Sequence, residues 1–169
     1  GFELFSREPQ ADAEVFALFH GILAPLGLDA TMGDMDLLLD AVDGLPLPED
    51  RRAALRHHIW RPRRFESLLE RFSHPVPPRH FAVNGAPWTG ERTRAEMHDR
   101  IARLERGAVS PALPAIWRER LHRLFTIAGP APVALAELRV LADHIPAIAE
   151  AVERLAGRLD ALAARGIDP

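Results

Sequence analysis

Apolar residues recur along this chain at helical spacing for most of its length, and at alternate spacing in only two short places. Residues 2–6 (FELFS) alternate and are rich in Phe, which predicts a short strand. From Ala11 to Leu26 the apolar side chains Val15, Phe19, Ile22, Leu23 and Leu26 share one helical face, and Gly27 supplies the stop. Residues 28–33 (LDATMG) read as a second short strand. Asp34 then suits the N-cap of a helix that buries Met35, Leu38, Leu39 and Val42 and ends at Gly44. The first 43 residues thus read strand–helix–strand–helix.

Beyond them the strand signals vanish. Pro48 suits the first position of a helix carrying Leu55 and Ile59, and Phe65, Leu68, Leu69 and Phe72 form a helical stripe after Pro62. Residues 73–90 (SHPVPPRHFAVNGAPWTG) are punctuated by Pro and Gly and read as a surface loop or linker. Thr93 and Glu96 have capping-box spacing, opening a helix that buries Met97, Ile101 and Leu104 and ends at Gly107. The next helix carries Leu113, Ile116, Trp117, Leu121, Leu124 and Phe125. In the last third, Leu138, Leu141, Ile145, Ile148, Val152, Leu155, Leu159 and Leu162 alternate by three and four, an a/d stripe read as core. Pro146 forbids one unbroken helix there, which predicts two helices meeting near residues 143–146. Gly166 closes the second.

Composition narrows the chemistry more than the fold. Every one of the 21 basic residues is Arg, so no Lys can serve a phosphate loop or form a Schiff base. With no Cys there are no disulfides, thiolate nucleophiles or Cys-based metal sites. A net charge of -3 gives no electrostatic footprint for nucleic acid, and the apolar runs fall short of a bilayer span. The cytoplasm is the expected compartment. His20, His57, His58, His74, His80, His98, His122 and His144 form no HExxH. His57 and His58, adjacent on a helix, diverge by about 100°, so all eight read as solvated imidazoles rather than ligands. One basic cluster stands out, Arg51, Arg52, Arg56, Arg61, Arg63 and Arg64 around Trp60. Arg beside an aromatic can grip a nucleotide or RNA; the balancing acids elsewhere favour a solvated or partner-facing surface instead. Glu3, a carboxylate within an apolar strand, either faces solvent or lines a site where it meets a cation or an amino group.

The stretch GFELFSREPQADAEVFAL resembles the end of motif 2 in the histidyl-tRNA synthetase branch of class II synthetases, where a G-x-E strand leads through a turn into a D-A-E helix. LGLDATMGDMDLLLDAV is similar to the strand and Gly-Asp turn that follow in a paralogous family, the regulatory subunits of ATP phosphoribosyltransferase. GERTRAEMHDRIARLE, LHRLFTIAGPAPVALAELRVLA and RLAGRLDALAARGID resemble helical segments of the same family. The resemblance implies an α+β, predominantly helical chain: residues 1–36 as part of a class II synthetase-like core, and residues 37–169 as a helical insertion-like region. In that family the region is internal, so the chain is expected to be a piece of a larger protein.

The resemblance also implies a function. Such a chain is not an enzyme and carries no cofactor. It assembles with the short-form catalytic subunit, and with itself, at the first step of histidine biosynthesis, and helps make that enzyme active and sensitive to histidine. Glu3 falls where the synthetase Glu contacts the amino group of histidine, a charge-assisted pairing. Two rivals stand beside this reading. A histidyl-tRNA synthetase would use the Arg51–Arg64 cluster on tRNA, though TMGDMD departs from the Asn-Ser-Leu-Gly type of the synthetases. An unrelated all-helical interaction module becomes preferable only if residues 1–33 are not sheet.

Overall fold

The computed structural model describes residues 3–6, 8, 10–28, 30–75, 90–108 and 111–167, and its regular structure is helical. Two compact units divide the chain: residues 1–44 together with 116–169, and residues 45–115. The split expected at residues 36 and 37 falls inside a helix, Met35–Asp43.

In the first unit, α1 (Ala11–Leu23) runs into a single 3₁₀ turn and stops at Gly27, whose φ of 61° is left-handed and costs a glycine little. Next come α2 (Met35–Asp43), then, from the far end of the chain, α6 (Ala115–Thr126) and α7 (Ala131–Ala142). Helix α8 (Ala149–Ala163) is the axis on which α1, α2 and α7 pack. The Pro146 break takes the form expected from sequence: α7 ends at Ala142, and a 3₁₀ turn over Pro146–Ile148 leads into α8. The a/d stripe is largely core, with Leu138, Leu141, Ile145, Ile148, Val152 and Leu162 buried and Leu155 and Leu159 half-buried. The C-terminal end of α2 lies on the Pro146 turn so closely that a Cβ at Gly44 would stand 2.6 Å from the Cβ of Ala147. Gly44 has an ordinary helical φ of -74°, so close approach rather than a left-handed stop explains the glycine.

The second unit holds α3 (Glu49–His57), α4 (Pro62–Phe72) and α5 (Arg94–Ala108). Pro48 precedes α3 rather than opening it, a shift of one residue. Phe65, Leu68, Leu69 and Phe72 are all buried, and the Leu113 N–H donates to the Phe72 carbonyl at 2.8 Å, tying the end of the unit to α4. The Thr93 capping box forms with both arms: Thr93 N–H reaches Glu96 Oε2 at 2.7 Å, and Glu96 N–H reaches Thr93 Oγ1 at 3.3 Å. Most of the expected 73–90 loop lies outside the described residues.

Several expectations need correction. No strand occurs among the described residues, so segments 2–6 and 28–33 do not pair where they are described. An alternating segment becomes a strand only when another backbone accepts its N–H and C=O groups, and the surrounding structure is helix, whose groups are already spent within each helix. The α1 face also differs. Ala13 is the buried residue, with Phe16 and Ala17 packed beside it against Leu162 and Ile167, while Ile22, Leu23 and Leu26 stay exposed. Likewise α2 buries Leu37, Ala41 and Val42, with Met35, Leu38 and Leu39 half-buried. Leu104, Ile116 and Phe125 are exposed rather than core. In each case the apolar stripe is wider than the neighbour available to cover it.

Candidate functional site

The chemistry in the first unit is organised by two arginines one turn apart on α8. Arg158 reaches both the ADAE and the TMGD stretches: its Nη1 donates to Asp12 Oδ2 at 3.0 Å, and its Nη2 donates to Asp34 Oδ2. Asp34 is an N-cap by its sequence type, and its Oδ1 accepts from the Asp36 N–H at 2.8 Å. One carboxylate therefore caps α2 with one oxygen and receives the guanidinium with the other. The Asp34 side chain is 4% exposed and that of Arg158 17%, so this is a shielded pair, whereas Asp12 at 70% is a wet contact. Arg158 Nε is buried without a hydrogen-bond partner.

One turn earlier, Arg154 Nη2 lies 3.5 Å from both Asp36 Oδ2 and Asp40 Oδ2. Four aspartates on α1 and α2 thus face two arginines, and the acids are in excess. The Asp40 carboxyl lies above its ordinary value chiefly because of burial; Arg154 opposes the rise, and Asp36 and Asp43 add to it. Beside this ionic seam lies an apolar cleft of about 510 Å³ lined by Met32, Met35, Leu38, Leu135, Leu155 and Leu159 among others, with Gly33 and Asp34 at its edge. Two flexible thioethers and seven Leu make a wall suited to apolar side chains. It is also why Leu155 and Leu159 of the heptad stripe are not fully buried.

Glu3 is exposed, in a segment without regular structure, and lines an open hollow with Leu4, Phe5, Asp12, Val15, Phe16 and Phe19. Two carboxylates beside aromatic carbon form a surface on which a cation or amino group could sit. Asp12 is already engaged by Arg158, which leaves Glu3 as the other acid of the hollow. Asp12 and Glu14 occupy the first turn of α1, where acids suit the helix dipole.

The arginine cluster of the second unit is divided by the fold. Arg51 is buried, 6% exposed, with its guanidinium 4.9 Å from the Phe72 ring centroid, and burial pushes it below its usual range. Arg52 donates to Glu49 at 2.8 Å, and Arg56 bonds the other oxygen of the same carboxylate. These two contacts hold the Glu49 carboxyl below its ordinary value. Arg61, Arg63 and Arg64 remain outward. His57 and His58 do not diverge: α3 ends between them, and their rings meet edge to face at 4.8 Å. Among the described residues no three His, Asp or Glu gather as a metal site, and no helix is long and apolar enough to cross a membrane.

Sequence reasoning missed Arg154 and Arg158. Their spacing of four on α8, opposite the i, i+2 and i+6 aspartates of Asp34–Asp40, is visible in the chain, but nothing local says that the two sets meet. Comparison of the chain with protein-family models, with curated proteins and with solved structures gives no match.

Proposed function

We propose that this chain is a non-catalytic, protein-binding part of a regulatory subunit of ATP phosphoribosyltransferase. On this reading it descends from a class II synthetase-like domain and works in the cytoplasm by assembling with the short-form catalytic subunit, making the enzyme histidine-sensitive. The observation that carries the reading is the Arg158 clamp. ADAE and TMGD, the two stretches on which the resemblance rests, are far apart in sequence from α8, yet their aspartates share one guanidinium. A shared, half-buried partner gives a physical reason for both acids beyond helix capping. The exposed Ile22, Leu23 and Leu26 on α1 supply apolar area of the kind a protein contact uses. Glu3 would be the group facing the amino nitrogen of histidine.

A second reading, an all-helical interaction module of separate descent, is favoured by one observation: the described parts of residues 1–33 contain no strand. The tRNA-charging alternative is weakened because Arg51, Arg52 and Arg56 are spent on internal contacts.

Mixing the protein with a short-form catalytic subunit separates the readings. The regulatory reading expects a heavier species in sedimentation, and phosphoribosyl transfer that rises on mixing and falls when histidine is added. Unchanged sedimentation with unchanged activity would remove it and leave the module.

A further inference from the structure

The corner between α3 and α4 is a surface with an unbalanced charge and an uncovered indole. The chain turns tightly there, with the Arg61 N–H donating to the His58 carbonyl at 2.8 Å, and α4 starts at once at Pro62. That turn sends Ile59 and Phe65 inward, 8% and 2% exposed, and leaves Trp60 74% exposed. Arg61 at the N-cap and Arg63 and Arg64 in the first turn of α4 follow, all exposed.

This placement runs against the helix's own electrostatics. The N-terminal end of a helix carries partial positive charge, and acids normally gather there. Here α4 has no acid in its first turn and no side-chain cap from Arg61. Among the described residues no ion pair engages Arg61, Arg63 or Arg64, in contrast to Arg52 and Arg56. Glu66, the next residue after the first turn, is exposed and makes no ion pair either. His58 reports the resulting field: burial first, then His57, Arg64 and Arg61, lower its tendency to protonate.

We propose that Trp60, Arg61, Arg63 and Arg64 form a docking surface for a carboxylate-rich segment of a partner protein. Charge complementarity selects the occupant: three uncompensated guanidiniums, added to the positive end of a helix, match carboxylates in fork geometry. The exposed indole adds the apolar anchor. Trp and Arg together are the residue types that dominate the energetics of protein–protein contacts. The net charge of -3 sets the chain apart from proteins that follow a long polyanion. This inference goes beyond the proposed function, because it concerns the second unit and the chemistry of what binds there.

The test is fluorescence anisotropy of a labelled glutamate-rich decapeptide titrated with the protein. Binding is expected at low salt and should fade toward 1 M salt, where the screening length falls to about 3 Å. Trp60→Ala should weaken it about tenfold or more, and the triple variant Arg61→Gln, Arg63→Gln, Arg64→Gln should abolish it. The triple variant should keep or raise the melting temperature, since it removes cations from a helix N-terminus; a binding loss caused by misfolding would lower it. Equal binding by the triple variant, no binding by the native protein, or preference for a labelled oligouridylate over the peptide would each overturn the proposal. Peptide binding without assembly on the catalytic subunit would support this surface while removing the regulatory reading. Assembly without peptide binding would do the reverse.

Discussion

Arg158 joins three parts of the chain through a single side chain, and its worth depends on what it shields. Asp34 is nearly buried, so removing the guanidinium would strand a carboxylate away from water. Arg158→Met should cost about 3 kcal/mol in urea denaturation, while Asp12→Asn should cost less than about 1 kcal/mol because that contact is exposed. Equal losses from the two variants would mean that the shielding of Asp34 is unimportant. Half of this arrangement was legible in the sequence. Asp34 as an N-cap follows from residue type and position, as does Asp12 in a first turn. Arg158 was illegible, since an arginine on an exposed helix edge has the same local sequence whether it meets solvent or two aspartates brought from another part of the fold. Glu3 was legible as unusual, and the structure adds its neighbours in the hollow.

Helix ends were the most readable elements, because capping is local chemistry. The Thr93–Glu96 box formed as its spacing implies. Thr93 N–H and Oγ1 hold the Glu96 carboxyl below its usual 4.5. A lowered folded-state value means that Glu96 contributes stability above about 4.5 and gives it up as pH falls through the lowered value. Amide protection factors at the start of α5, with the intrinsic rate at each pH divided out, should therefore fall on acidification in that window, and Thr93→Ala should move the onset to higher pH. An onset unmoved by Thr93→Ala would show that the box contributes nothing. The α4 stripe and the Pro146 break were equally legible, since Phe–Leu periodicity and a missing N–H act within one helix. Strands were the failure. FELF alternates as a strand does, but alternation records two faces, and only a neighbouring backbone makes a ladder. The buried face of α1 was misread for a related reason: five large side chains on one stripe outweigh Ala13 in any periodicity, yet close approach of α8 favours the small residue.

At the scale of the molecule, two units each own a core, the first around Ile145, Ile148 and Val152, the second around Phe65, Leu69 and Leu55. Ile148→Ala should cost about 2–5 kcal/mol and Phe65→Ala about 3–5 kcal/mol. By residue-resolved hydrogen exchange, the first should lower protection in α7 and α8 and the second in α3 and α4. Protection lost uniformly along the chain in both variants would show one cooperative block. This division was hidden in the sequence, because residues 116–169 return to residues 1–44 across a long interval that no local pattern spans. Among the described residues nothing covers Ile22, Leu23 or Leu26, so no packing there rewards them for being apolar. A laboratory evolution campaign selecting for thermal survival alone would let those codons drift toward polar residues, while Ala13, Arg158 and Gly44 stayed fixed. If the proposed assembly uses α1, the positions that drift under such selection but are retained in a campaign that also demands assembly would trace its footprint without a structure of any complex.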